Sequence, residues 1–160
     1  MREDERWATA SIGDLIDHII DAYHRPLPAA LAHVCALARA HIPGLAPADR
    51  QRLDRAGDAL DELREVQLAH LRQEEELVFP WLRSPSRASA GVLVNALGRD
   101  HADIGRLLRE VRELVAPIAG EVARALAEAL DALAAGFRAH LALENGVLFP
   151  RALAFEPGDP

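Results

Sequence analysis

Two stretches of this chain carry the same spacing of chemistry-bearing side chains: His70-Leu71-Arg72-Gln73-Glu74-Glu75-Glu76-Leu77-Val78-Phe79-Pro80 and His140-Leu141-Ala142-Leu143-Glu144-Asn145-Gly146-Val147-Leu148-Phe149-Pro150. Both read H-x3-E-x4-F-P. On a helix the i, i+4 spacing stacks an imidazole above a carboxylate on one face, and the apolar residues around each copy turn that face inward. A buried carboxylate is costly unless it is paired, protonated or bound to a metal. Two such His/Glu pairs in one small domain point to a shared cation.

The elements that must position these pairs follow from the apolar pattern. Turn-rich stretches at 41–49, 83–87 and 116–120 separate four segments, each with an apolar row at steps of three and four. The first row runs Ile16, Ile20, His24, Leu27, Leu31, Val34, Ala38, His41. The second contains Leu60, Leu63, Gln67, His70, Glu74, Leu77 and Trp81, the third Val94, Leu97, His101, Ile104 and Leu108, and the fourth Leu133, Phe137, His140, Glu144 and Val147. Long amphipathic helices with short connections predict an all-α fold, an up-down-up-down antiparallel four-helix bundle over residues 11–153, with tails at 1–10 and 154–160. In such hairpins two residues at one height have their sequence midpoint in the turn. The midpoint of His24 and His70 falls at Pro47, that of His70 and His101 near Pro85, and that of His101 and His140 near Gly120. All three are turn positions, so the four histidines are expected in one layer. Pro26 and Pro28, just after His24, predict a kinked or re-started first helix, and Ser11 is its expected N-cap.

The candidate ligands are therefore His24, His70, Glu74, His101, His140 and Glu144. A single inward histidine is ordinarily a hydrogen-bonded core residue; four at one height beside two i+4 glutamates are not. Imidazoles and carboxylates without thiolates suit iron or manganese, and zinc less distinctively. If both glutamates bridge two metals, each metal receives two imidazoles and two carboxylate oxygens, leaving positions for a bridging oxide or hydroxide and a small exogenous ligand. Glu75, Glu76 and Asp100 are expected in solvent or hydrogen-bonded to ligand imidazoles, with Asp100 favoured for the second role. His33 lies about 180° round the helix from His24 and His18 about 120° off the row, while His41 is roughly 25 Å along the axis. Phe79 and Phe149 are expected to wall the site, with Tyr23, Trp7, Trp81 and Phe137 as packing residues.

Composition narrows the class. Half of the 160 residues are apolar but only 4% aromatic, which favours helices, and 25 acidic against 18 basic residues give a net charge of −7. That balance argues against nucleic acid as a partner. Cys35 is the single cysteine, which excludes an intramolecular disulfide or a thiolate cage and fits a reducing cytoplasm. No apolar run approaches the length of a membrane span, and the N-terminus has no signal-like apolar region. A cytoplasmic protein is expected; an exposed stripe on the first segment is compatible with a homodimer.

Taken together, Leu15-Ile16-Asp17-His18-Ile19 with Tyr23-His24, HLRQEEELVFP, Asp100-His101-Ala102-Asp103-Ile104-Gly105 and HLALENGVLFPRAL resemble the haemerythrin-like (HHE cation-binding) domain over roughly residues 12–153. The likeness is greatest to its branch of RIC proteins, the di-iron proteins of iron-centre repair. The resemblance implies a non-haem di-iron centre, with the family's four ligand histidines at His24, His70, His101 and His140 and its two bridging glutamates at Glu74 and Glu144. A family histidine after the first helix resembles His41, although the spacing from His24 is about one helical turn shorter here. The cysteine motif of the RIC N-terminal module has no counterpart in this sequence. The resemblance implies repair of iron-sulfur clusters after nitrosative or oxidative stress, with cluster proteins as clients and turnover of nitric oxide or peroxide as its enzymatic variant. Reversible binding of dioxygen or nitric oxide by a sensor or carrier is the second expectation, and a purely structural bundle the third.

Overall fold

The computed structural model describes residues 3–84 and 90–154, and all regular structure among them is helical. The helices are α1 (Glu3–Thr9), α2 (Ile12–Ile19), α3 (Leu27–Ala38), α4 (Pro47–Gln73), α5 (Phe79–Arg83), α6 (Ala90–Val115), α7 (Glu121–Leu143) and α8 (Phe149–Leu153). Ser11 caps α2 by accepting from the Asp14 amide at 3.0 Å, which satisfies one of the helix's orphan donors. Pro47 opens α4, where its missing N–H is harmless. Gly120 precedes α7 with φ +114, a conformation other residues enter only with strain. Helix α4 packs on α6, α3 on both α4 and α7, and α6 on α7. No helix among the described residues is long and apolar enough to cross a membrane. The turn predicted at 83–87 falls largely on residues 85–89, and that part, including the midpoint at Pro85, lies outside the described residues, as does the side chain of Val94.

Three π turns interrupt the α-helical path, at Ile20–His24, Glu74–Val78 and Glu144–Leu148. In each, a backbone N–H reaches back five residues: Arg25 to Ile20, Phe79 to Glu74, and Phe149 to Glu144. Each donor is followed at once by a proline, Pro26, Pro80 or Pro150. A proline in a continuing α-helix lacks the N–H for the i−4 carbonyl and its ring collides with that carbonyl. Widening the turn just upstream relieves the collision and takes in one extra residue. The first segment therefore re-starts at α3, as the paired prolines predict.

The extra residue changes which side chains face inward. Leu77, expected on the inner row, is 57% exposed, and Val78 is buried in its place. Likewise Val147 is half-buried while Leu148 is fully buried, and the buried step from Ile19 to His24 is five residues long. Only the five-residue step from Ile19 to His24 breaks a strict three-and-four rhythm, which assumes an unbroken α-helix; Glu74 to Val78 and Glu144 to Leu148 are steps of four.

The buried apolar residues form two clusters. One contains Leu31, Leu63, Ile104, Leu133 and Phe137; the other contains Trp7, Ile16, Ile19, Val78, Phe79, Leu97, Leu143 and Leu148. Between them on each helical segment comes a polar position: His24, then Gln67, His70 and Glu74, then His101, then His140 and Glu144, all buried.

Residues 3–9, within the expected N-terminal tail, form α1, and Trp7 is buried against the second cluster. Arg151 of α8 holds this segment, donating from Nη1 to Trp7 O and from Nη2 to Ala10 O, each at 2.6 Å. The indole also stacks on His18 at 4.4 Å between ring centroids. Of the expected C-terminal tail only Ala154 is described.

Val78→Ala is expected to lower stability by about 2 kcal/mol, in the range of buried large-to-small changes. Leu77→Ala should stay within about 0.5 kcal/mol of the parent. Urea unfolding of both variants measures this, and the reverse order would mean that the helix runs through residue 77 without a π turn.

Candidate metal centre

The polar layer between the two apolar clusters brings all six candidate ligands together. Nε2 of His24 faces Nε2 of His140 at 3.2 Å, and Nε2 of His101 faces Nε2 of His70 at 3.1 Å. The glutamates lie between these pairs. Glu74 sets Oε2 at 3.4 Å from His24 Nε2 and 3.9 Å from His140 Nε2, and Oε1 at 3.3 Å from His70 Nε2. Glu144 sets Oε1 at 2.9 Å from His140 Nε2 and Oε2 at 3.6 Å from His101 Nε2. Each carboxylate thus offers different oxygens to the two histidine pairs. The result is two overlapping groups, His24, Glu74, His140, Glu144 and His70, Glu74, His101, Glu144, each with its donor atoms within 4.8 Å of one another.

The π turns explain why these atoms converge. His24 ends the first, while Glu74 and Glu144 begin the second and third. The histidine and glutamate of each repeat therefore keep the α-helical i, i+4 register, and the wide turn starts only beyond them. It then aims Phe79 back at the site, where its ring stacks on His24 at 5.5 Å. Phe137 meets His101 edge-on at 6.2 Å, and Tyr23 stacks on His140 at 5.6 Å. Phe149, expected to wall the site, packs in the second apolar cluster.

The family model for the Hemerythrin HHE cation binding domain matches residues 15–152. The chain belongs to the haemerythrin HHE family. Among curated proteins, this haemerythrin-family chain is 31% identical to the iron-sulfur cluster repair protein YtfE of Enterobacter sp. (strain 638), a match covering 96% of this chain and 71% of the relative. It is 28% identical to the proteins of that name from Citrobacter koseri and Escherichia coli, over 94% of this chain and 70% of each relative.

The donor set of this haemerythrin-type site fits a cation on structural grounds. Both glutamates are 0% exposed, and none of their four oxygens has a hydrogen-bond partner despite the imidazoles around them. Two nitrogens bound cis to one first-row metal, at roughly 2.1 Å each, would lie about 3 Å apart, close to the observed 3.1 and 3.2 Å.

Electrostatics points the same way. Burial pushes the Glu74 carboxyl up to about 7, helped by the nearby Glu144, and burial pushes Glu144 up to about 7 as well. Burial, with the neighbouring imidazoles His70 and His140, presses His101 down to about 3; His140 is pressed to about 4, chiefly by burial. His24 is lowered by burial and by His140. Burial also presses on His70, but the Glu74 carboxylate beside it outweighs this and holds it above its usual value. Protons thus compete for the two carboxylates near neutrality, while His101 and His140 remain neutral well below it.

Glu75, one residue beyond the candidate ligand Glu74, makes the short outer contact: His24 Nδ1–H donates to Glu75 Oε1 at 2.8 Å. This holds the proton on Nδ1 and leaves Nε2 facing inward. Asp100, favoured from the sequence, comes only to 3.5 Å of His70 Nδ1, and that nitrogen has no hydrogen-bond partner. Glu75 and His24 are 51 positions apart, so residue spacing does not reveal their contact. His33 and His41 are exposed and His18 is half-buried against Trp7, all apart from the two ligand groups. Cys35 is buried, its thiol pushed up by that burial, as suits a packing residue.

A carboxyl whose folded value is raised from 4.5 to about 7 gives stability that is complete below the lower value and lost as the pH climbs through the higher. Metal-free protein at pH 8 therefore bears the full cost of ionised Glu144. Glu144→Gln should raise the stability of the metal-free protein at pH 8 by on the order of 1–3 kcal/mol, with a much smaller gain at pH 5. Urea midpoints of parent and variant at the two pH values check this; a variant less stable than the parent at pH 8 would contradict it.

Proposed function

We propose that the chain is a non-haem di-iron protein of the cluster-repair type. His24, His140 and one oxygen of each glutamate would hold one iron ion, and His70, His101 and the opposite oxygens would hold the other. The observation that carries this reading is the division of the Glu74 and Glu144 oxygens between two histidine pairs. Two cations would offset two negative charges that otherwise lie in a buried layer. Iron bound there supplies electron exchange and open positions for a small ligand. Glu75 orients His24, while Phe79 and Tyr23 cover imidazole faces and keep water from the ligands.

The activity we assign is repair of iron-sulfur clusters damaged by nitrosative or oxidative stress, in the cytoplasm, with cluster-bearing proteins as clients. Support comes from the relatives that bear the repair name and match over most of this chain. The fold that presents the centre is an up-down-up-down antiparallel four-helix bundle over residues 11–153. The closed ring of pairings from α3 to α4 to α6 to α7 and back to α3 supports that arrangement. A second reading, reversible carriage or sensing of dioxygen or nitric oxide, is favoured by an apolar cleft that reaches His140.

Protein purified without added metal is expected to contain two iron ions per chain, one for each ligand group, and to absorb in the near ultraviolet as oxo-bridged iron does. Glu74→Ala and Glu144→Ala should each lose most of the iron, whereas His41→Ala should keep it; equal iron in all three would refute the ligand assignment. The iron-loaded protein should restore an enzyme whose cluster nitric oxide has damaged. Failure to do so, with reversible spectral change on cycling dioxygen, would select the carrier.

A further inference from the structure

A groove between α6 and α7 takes no part in the metal reading. Its volume is about 290 Å³, and Leu108, Leu130, Phe137 and Leu141 give it an apolar floor. The rim is basic: Arg109 and Arg112 stand on α6 and Arg138 on α7, with Asp131 as the one carboxylate among the lining residues.

The rim charges divide into a pair and a remainder. Arg112 Nη1 lies 2.8 Å from Asp131 Oδ1, and its Nη2 donates to Oδ2 at 3.3 Å, the two-pronged fork in which a guanidinium takes a carboxylate. That contact ties α6 to α7 and cancels its own charge. Arg109 and Arg138 are exposed and have no hydrogen-bond or ion-pair partner among the described residues. Arg109 folds back over Gly105, its Nη1 3.5 Å from where a Cβ would stand there, which keeps the guanidinium on the groove wall. Two uncompensated positive charges thus flank an apolar floor on a chain of net charge −7.

This combination selects its occupant. Two guanidiniums are too few for a nucleic-acid backbone, which is held by a long basic stripe. A free inorganic anion would leave the apolar floor uncovered. Floor and rim together fit a protein surface that sets an apolar side chain between carboxylates, the apolar centre and polar rim of an ordinary interface. The acidic remainder of the chain disfavours other approaches by such a partner, so the patch also fixes the side on which it arrives. Phe137 links that side to the ligand layer, since this floor residue meets the His101 ring edge-on at 6.2 Å. We propose that the α6–α7 groove is the docking surface for an acidic, cluster-bearing protein. Arg109 and Arg138 pair with its carboxylates, and one of its apolar side chains sits over Phe137. That the partner carries a cluster rests on the repair reading; the groove's preference for an acidic surface does not.

The probe is a small acidic ferredoxin with a [2Fe–2S] cluster, titrated onto the full chain at low salt. Binding is expected, with an affinity that falls steeply as salt is added. Arg109→Glu and Arg138→Glu should each weaken it roughly ten-fold. Arg55→Glu, the same charge change at an exposed position of α4, should stay within about two-fold of the parent. Ala134→Phe fills the groove without altering charge and should weaken binding as well; urea midpoints and iron content near the parent's show that the variants fold. No binding by the parent, or equal losses in Arg55→Glu, would overturn the docking surface. Parent-like affinity in Ala134→Phe would overturn the seat over Phe137. Concentration-dependent dimers of the parent that Arg138→Glu dissolves would assign the groove to a second copy and overturn the acidic partner. A ferredoxin that binds as expected, yet keeps its nitric oxide damage, would retain the surface and sink the repair reading. Repair that proceeds unchanged in Arg109→Glu and Arg138→Glu would do the reverse.

Discussion

Two fully buried carboxylates set the terms for the rest of this molecule. Glu74 and Glu144 are fully enclosed, and their oxygens meet only imidazole nitrogens and one another's surroundings. A domain of this size has net stability of only about 5–15 kcal/mol, so an uncompensated pair of buried charges is a serious liability. Their raised proton affinity is one partial answer; a bound cation is the complete one. The apolar clusters on either side of the layer keep solvent from offering a third.

The convergence of the buried His/Glu layer was legible from the sequence because its constraints are local or symmetric. The H-x3-E spacing needs only an α-helix to place both side chains on one face, and in this structure the helix is regular over those four residues in both repeats. The turn midpoints depend only on antiparallel neighbours of similar length. His24, with no glutamate in its own segment, was reached by that symmetry alone, and it meets His140 as the layer requires.

What lay beyond local spacing was harder to read. The π turns follow from proline sterics, yet the consequence appears several residues away, as the exchange of Leu77 for Val78 on the buried face. Glu75 reaches His24 across a sequence separation of 51 residues. The docking of Trp7 depends on Arg151, at the far end of the chain. A lone tryptophan in a charged N-terminal stretch carries no periodic signal that it will be covered.

The three π turns have a bearing on how this chain tolerates change. Each holds one residue more than an α-helix would need between the same ends, so segment length there is as constrained as residue identity. A chain one residue shorter between Glu74 and Phe79 would span the same ends as an ordinary α-helical turn, and would bring the Pro80 ring against the carbonyl that the wide turn spares. Substitutions at the exposed positions of that turn are cheap by comparison. Among homologous chains, gaps should therefore avoid these five-residue windows even where the letters inside them drift.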